Sequence, residues 1–299
     1  MRVLLTGASG GLGAYVLESL IARSAEVIGW SGRVKEKRAG MPLNPIDLTD
    51  EATLRKRLDE ANADVILHLA AISSAEEVRQ DQTRAFRINV EATETIAQWC
   101  LSHDRRLIFA STDMVFDGTR SWNKEDDLAA PISAYGRMKL EAEECVRKCP
   151  RGLSARTALL YGEAKSGRST FFDQAVKDLK LGKPRAFFDD EYRTPLTLRD
   201  AADIFARLTE LEIRGTLHIA GSERVSRYEL LRRASIALGL DAELVQPNRR
   251  NQIPSIEPRP ADLSLDTTKL AALLPNLRRR SIEESFLEGP FALGKEGIQ

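Results

Sequence analysis

The chain has 299 residues, and its 44 Lys plus Arg balance 44 Asp plus Glu, so the formal net charge is zero. That balance argues against an extended nucleic-acid footprint or a basic membrane anchor, and the length suffices for one large or two small domains with a full core. Cys100, Cys145 and Cys149 do not cluster with the three histidines at metal-ligand spacing, so no metal site is expected and reduced thiols in a cytoplasmic protein are the simpler reading. The apolar run before the first glycines is too short for a signal peptide, and no segment reaches the length of a membrane span.

Val3-Leu4-Leu5-Thr6 reads as a strand, followed at once by Gly7-Ala8-Ser9-Gly10-Gly11-Leu12-Gly13 and then a helix from about Leu12 to Ala22. Strand, glycines and helix in that order open a βαβ dinucleotide-binding unit, with the helix N-terminal amides facing the phosphates. The second strand runs from Glu26 to Trp30, where an NAD-preferring site usually carries an acidic residue for the ribose 2′-hydroxyl. Here Trp30-Ser31-Gly32-Arg33-Val34-Lys35 offers no carboxylate, and Ser31 with Arg33 could hold a 2′-phosphate. NADP(H) is therefore favoured over NAD(H); the alternative is that Arg33, Lys35, Lys37 and Arg38 are only a solvated loop.

Next come Ile46-Asp47-Leu48, a helix over about 51–62, and the apolar run Val65 to Ala71, which suits a strand buried on both faces. A long helix from about Gln82 to Leu101 precedes a strand over Arg106 to Ala110. This rhythm predicts an α/β fold with a doubly wound parallel sheet, whose ligand would lie at the strand ends near Gly7, Ala71 and Ser111. The expected nucleotide-binding domain covers 1–160, rejoined by about 194–222. Prolines at 184, 195, 247, 254, 258 and 260 break the remainder into short pieces, a smaller mixed substrate lobe within 161–299.

Ser111-Thr112-Asp113 precedes Tyr135-Gly136-Arg137-Met138-Lys139. Reducing a carbonyl requires a proton for the developing alkoxide, and a tyrosine can supply it if a nearby ammonium lowers its pKa. Lys139, four residues on, shares a helix face with Tyr135 and can reach a nicotinamide ribose. Thr112 or Ser111 would orient the carbonyl. Tyr161 and Lys165 match the same spacing, but Tyr161 closes the strand-like run 153–160 and Gly162 disfavours a helix; packing or a pocket wall is the expected role there.

With these residues in place the chain resembles an extended short-chain dehydrogenase/reductase, nearest the dTDP-4-dehydrorhamnose reductase branch. The carrying stretches are the glycine turn, Ser111 to Gly118, Pro131 and Tyr135 to Lys139. Asp47 and Leu48 match the adenine-contacting position, Leu69, Ala70 and Ala71 the strand end lining the cofactor, and Asn89 the asparagine of the central helix. Arg156-Thr157, Tyr161-Gly162, Arg193-Thr194-Pro195 and Arg259-Pro260 with Asp262 extend the match. The resemblance implies a Rossmann-type domain and NADPH-dependent reduction of the 4-keto group of a nucleotide-linked deoxysugar. Thr112, Tyr135 and Lys139 would be catalytic, with Ser111 a lesser candidate, and Asp113, Met114, Leu159 and Arg193 would face the substrate. Met114 and Leu159 depart from the family's usual tyrosine and tryptophan. A nucleotide-sugar epimerase or dehydratase remains an alternative, as does an NADP-binding regulatory subunit resembling that of methionine adenosyltransferase. The implied partner is a small carbonyl substrate, with a homodimer possible by family analogy.

Overall fold

Alternation along the strands divides the core in two. In β1 (Arg2–Thr6), Val3 and Leu5 pack to one face and Leu4 to the other, all fully buried. A side-chain period of two does this for any strand covered on both faces. The structure, a computed structural model, describes residues 1–32, 36–165 and 170–287.

From β1 the chain runs through α1 (Gly11–Ala22) to β2 (Glu26–Ser31), then a hairpin of β3 (Glu36–Arg38) and β4 (Met41–Pro45). It continues through α2 (Glu51–Ala61), β5 (Val65–His68), α3 (Ala75–Gln80), α4 (Gln82–Phe86), a π-helical turn (Arg87–Glu91), α5 (Ala92–Ser102) and β6 (Arg106–Thr112). There follow α6 (Ala134–Arg147), β7 (Gly152–Thr157), β8 (Leu160–Tyr161), α7 (Phe171–Lys180), β9 (Arg185–Phe188), β10 (Tyr192–Arg193), β11 (Leu196–Thr197) and α8 (Leu198–Leu208). The last elements used below are β12 (Gly215–Ile219), β13 (Val225–Ser226), α9 (Arg227–Ala237) and β14 (Val245–Asn248).

Among the described residues eight strands form one sheet in the order β12-β7-β6-β5-β1-β2-β4-β3, parallel throughout except for the β3–β4 hairpin. Helices α1 and α8 cover one face through Val16, Leu17, Ala201 and Phe205. Helices α2, α5 and α6 cover the other through Leu54, Leu58, Ile96, Trp99 and Val146. β1 pairs with β2 on one side and β5 on the other, so the strand order reverses there and opens a crevice at the carboxyl ends.

Two local expectations change and a third is refined. The hairpin 36–45 was not expected; it adds β4 to the parallel sheet and folds beside the end of β2. The strand expected over 65–71 stops at His68, because Ala70 and Ile72 bond side chains, not a neighbouring strand. The long helix expected over 82–101 is present from Gln82 to Ser102 and carries a π turn around Asn89, a distortion common at functional sites.

The second lobe has its own core of Phe172, Val176, Leu179, Leu230, Leu231, Val245 and Phe286, into which Tyr161 also packs. It carries the parallel pair β9–β14 and the antiparallel pair β10–β13. Asp262 N–H donates to the Gly118 carbonyl at 3.1 Å, and Asn123 is bonded to Ser264, joining this lobe to the loop after β6. The three cysteines are free and buried. Glu283 lies against Arg233 at 2.6 Å. Among the described residues no helix is long and apolar enough to cross a membrane.

Candidate active site

Helix α1 begins without a side-chain cap, whereas α2, α6, α8 and α9 are capped by Asp50, Ser133, Thr197 and Ser226. Its first amides are therefore left for another acceptor. The turn ahead of it and its own first turn tolerate no side chain at one position each. A Cβ on Gly13 would lie 2.0 Å from the Gly7 carbonyl oxygen, and one on Gly7, whose φ is +69°, would lie 2.8 Å from the Ala70 nitrogen. The glycines thus draw the β1–α1 turn against the end of β5, leaving a backbone cradle that fits a pyrophosphate.

That cradle opens into a cleft of about 680 Å³. Gly7, Ser9, Gly10, Ser31, Asp47, Leu48, Leu69, Ala70 and Ala71 line it. Gly11, Leu12 and Gly13 start the helix behind it, and Arg33 lies outside the described residues. Sequence reasoning missed the opposite wall, built by Glu77, Gln80, Asp81, Arg84 and Ile88, and also missed Glu36. The signal for Glu36 lay one residue past the stretch searched for a carboxylate. It is bound to Arg38 at 2.9 Å.

A buried relay fixes the cleft floor. Ala70 N–H donates to Thr6 Oγ1, which is 2.7 Å from His68 Nδ1; His68 Nε2 is 3.1 Å from Thr93 Oγ1, and that hydroxyl donates to the Asn89 carbonyl. With the Thr6 hydroxyl accepting from Ala70 and the Thr93 proton committed to Asn89, the consistent tautomer of His68 carries its proton on Nε2. Burial and then the adjacent Lys139 push His68 down to about 3, keeping it neutral. The Asn89 amide both accepts from Ile72 N–H and donates to Ile72 O, so it braces the wall instead of facing the cleft.

The residues expected to handle the proton lie at the end of β6 and on α6. Ser133 caps α6, and Gly136 lets the helix sit on the turn after β6, since a Cβ there would lie 2.2 Å from the Met114 carbonyl oxygen. This packing brings Tyr135 beside the Thr112–Asp113 strand end. Thr112 Oγ1 is 3.3 Å from Asp113 Oδ1 and accepts from Met114 N–H. Ser111 turns the other way, donating at 2.5 Å to Glu143, which is paired with buried Arg156.

Lys139 is buried with Nζ 3.8 Å from the Phe109 ring centre, and desolvation draws it down to about 7 against the opposing pull of Glu143. Tyr135 is raised above the ordinary tyrosine value, first by burial and then by the Asp113 charge. The expectation that the lysine lowers the tyrosine is therefore not met in this state. Burial draws the lysine's pKa down, and the charge that acts on the phenol is the Asp113 carboxylate. Tyr161 is buried, 3.0 Å from Ser285, while Lys165 pairs with Glu18 at 2.5 Å; the second Tyr-x-x-x-Lys match does not converge.

Met114 is partly buried against Val115, Phe116 and Leu263, and Leu159 against the second lobe's core. Arg193 reaches Asp113 at 3.0 Å and Glu191 at 3.3 Å. A dinucleotide cradle at the sheet's switch point, with a tyrosine and lysine on the helix leaving β6, defines an extended short-chain dehydrogenase/reductase with a nicotinamide cofactor site. The chain belongs to the family described as RmlD substrate binding domain, whose model matches residues 1–285.

It is similar to methionine adenosyltransferase 2 subunit beta of Pongo abelii, with 28% identity over 308 residues, covering 100% of this chain and 90% of that protein. It is also similar to the probable low-salt glycan biosynthesis reductase Agl14 of Haloferax volcanii, with 30% identity over 275 residues, 90% of this chain and 91% of that one. In fold it matches the dTDP-4-dehydrorhamnose reductase of Bacillus anthracis in complex with NADP, with a TM-score of 0.84 at 22% identity, covering 95% and 96% of the two chains.

Proposed function

We propose that this protein is an NADPH-dependent reductase of the 4-keto group of a nucleotide-linked deoxysugar. The observation that carries the reading is the close seating of α6 on the turn after β6 at Gly136, which puts Tyr135 within reach of the Asp113 charge. The glycine cradle and the uncapped α1 would hold the cofactor pyrophosphate, and Asp47, Leu48 and the 69–71 segment its adenosine and nicotinamide sides. When bound, the reduced cofactor supplies the hydride.

The chain handles the proton. Tyr135 is held protonated by burial and Asp113, which suits a phenol that must still carry its proton when the alkoxide forms. Lys139, close to neutrality in its pKa, gains charge when an acceptor such as a ribose hydroxyl or a phenolate approaches, and so stabilises the phenolate after transfer. Thr112 completes the trio by orienting the carbonyl oxygen from the end of β6. Ser111 is a brace on Glu143, and Arg193 with Asp113 borders the substrate side. We place the substrate between the 1–160 domain and the lobe within 161–299.

A second reading, a non-catalytic nucleotide-binding regulatory subunit, is favoured by the similarity to the methionine adenosyltransferase beta subunit along the whole chain. The deciding experiment is NADPH oxidation with a freshly made dTDP-4-keto-6-deoxy sugar, NADH alongside, plus cofactor binding by calorimetry. Turnover supports the reductase; tight cofactor binding with no turnover on any keto-sugar supports the regulatory subunit.

A further inference from the structure

One contact of the second lobe reaches the helix of Tyr135 and Lys139. Arg250 closes the base of the stretch 250–259. Its backbone N–H donates to Asp190 Oδ1 at 3.0 Å, its Nε to the Asp190 carbonyl at 2.9 Å and its Nη1 to the Arg259 carbonyl at 2.6 Å. A stretch whose ends are held together in this way is an Ω-type loop. Residues 251–256 and Pro258 are exposed, Ile256 to 80%, and Glu257 alone between them is half-buried. Glu257 Oε1 accepts from Ala134 N–H at 2.9 Å. Among the described residues this is the one hydrogen bond that 253–258 make.

Ala134 is the first residue of α6 and stands directly before Tyr135. The first amides of a helix have no partner inside it, and α6 divides its own between two sources. Ser133 Oγ, the adjoining cap, takes Gly136 N–H at 3.1 Å, whereas Glu257 takes Ala134 N–H from 123 residues away. A carboxylate there also meets the positive end of the helix dipole. The same turn is seated at Gly136, where a Cβ would lie 2.2 Å from the Met114 carbonyl oxygen. Tyr135 thus sits between one contact fixed by sterics and one supplied by a single distant side chain. Glu257 is not among the charges that act on the phenol, which burial and Asp113 raise. What it supplies is the place of the turn.

Resting on the reductase reading for the role of Tyr135, we propose that Glu257 is a positioning residue, latching the 250–259 loop to the first turn of α6 and so holding Tyr135 in its reacting position. Arg250 ties the loop to the second lobe and Glu257 ties it to the 1–160 domain. The seating of the phenol therefore depends on how the two lobes stand, and breaking the latch frees the turn without removing a group that holds the cofactor.

The test joins keto-sugar kinetics to amide-resolved hydrogen exchange on the full chain saturated with NADP⁺. Glu257→Ala should speed exchange at Ala134 about tenfold or more. It should also lower kcat about tenfold, with KM and the cofactor dissociation constant nearly unchanged. Glu257→Gln keeps an oxygen acceptor in the same place and should bring both readouts back to within about threefold of the parent. Ile256→Ser, on the exposed neighbour, should change neither. Parental exchange at Ala134 in Glu257→Ala would show that there is no latch, and faster exchange with parental kcat would show that the latch does not seat the phenol; either overturns the proposal. A fall in kcat that Glu257→Gln does not rescue, with faster exchange throughout α6, also overturns it and leaves Glu257 a general support of the fold. In a parent without turnover the reductase reading fails by itself. Exchange then decides the latch: faster exchange confined to Ala134 and Tyr135 in Glu257→Ala supports it, and parental exchange overturns it.

Discussion

The two walls of the central crevice are built on different principles. The cofactor wall is backbone: a glycine turn, an uncapped helix and the 69–72 segment braced by Thr6, His68 and Asn89. The facing wall, where we propose the substrate lies, is side chain: Asp113, Glu191, Arg193, Arg227 and Arg259, gathered from four separate stretches and largely buried. A backbone wall is made rigid by sterics and tolerates almost no added volume. A charged side-chain wall is held by long-range Coulomb forces and can be retuned by one substitution. A family can therefore keep its cofactor while changing what it acts on, or whether it acts at all.

The sharpest break of this contrast is at Tyr135 and Lys139, the pair we propose to be reactive. Tyr135→Phe should lower keto-sugar turnover about a hundredfold or more and leave the cofactor dissociation constant nearly unchanged. A mutant that keeps its rate removes the phenol from the mechanism. On the backbone wall, Gly13→Ala should cost about 3 kcal/mol by overpacking the turn, read as a fall in thermal midpoint with loss of cofactor binding. Gly11→Ala, where an added Cβ meets nothing within 4 Å, is its control and should leave the midpoint within about 0.5 kcal/mol of the parent. Equal damage from both would show that the turn is not under steric control.

Lys139 gives a pH-dependent test. Its folded pKa, about 7, lies below the ordinary lysine value, so above pH 7 the unfolded chain binds more protons than the folded one. Lys139 therefore makes cofactor-free stability climb as pH rises from about 7 towards 10. Lys139→Met should remove that climb and raise the midpoint at pH 6 to 7, while abolishing turnover; a lower midpoint at pH 6 would mean that the ammonium is well solvated. Glu36→Gln is the smallest change expected, a few-fold shift of the binding ratio towards NADPH, because a carboxylate at the cleft edge repels a 2′-phosphate. No shift would place the phosphate away from Glu36.

The chain's local order determined much of this protein. The unbroken apolar runs at 3–6, 65–71 and 106–110 announced buried strands, and the glycine spacing announced the cradle, because both depend on neighbours a few residues apart. Tyr135 and Lys139 were legible for the same reason, since one helical turn separates them. The hairpin at 36–45 was not, because β4 takes its place only by pairing with β2. Likewise the sequence named Arg193 and Asp113 but not their meeting, and did not mark Glu191, Arg227, His68 or the 77–88 wall. Those groups acquire their roles from burial and from partners tens of residues away. Even the state of the lysine was decided by tertiary structure: four-residue spacing put it on the tyrosine's helix face, and burial drew its pKa down to about 7. Short-range geometry is written in the order of residues, whereas electrostatic environment exists only once the chain has closed around it.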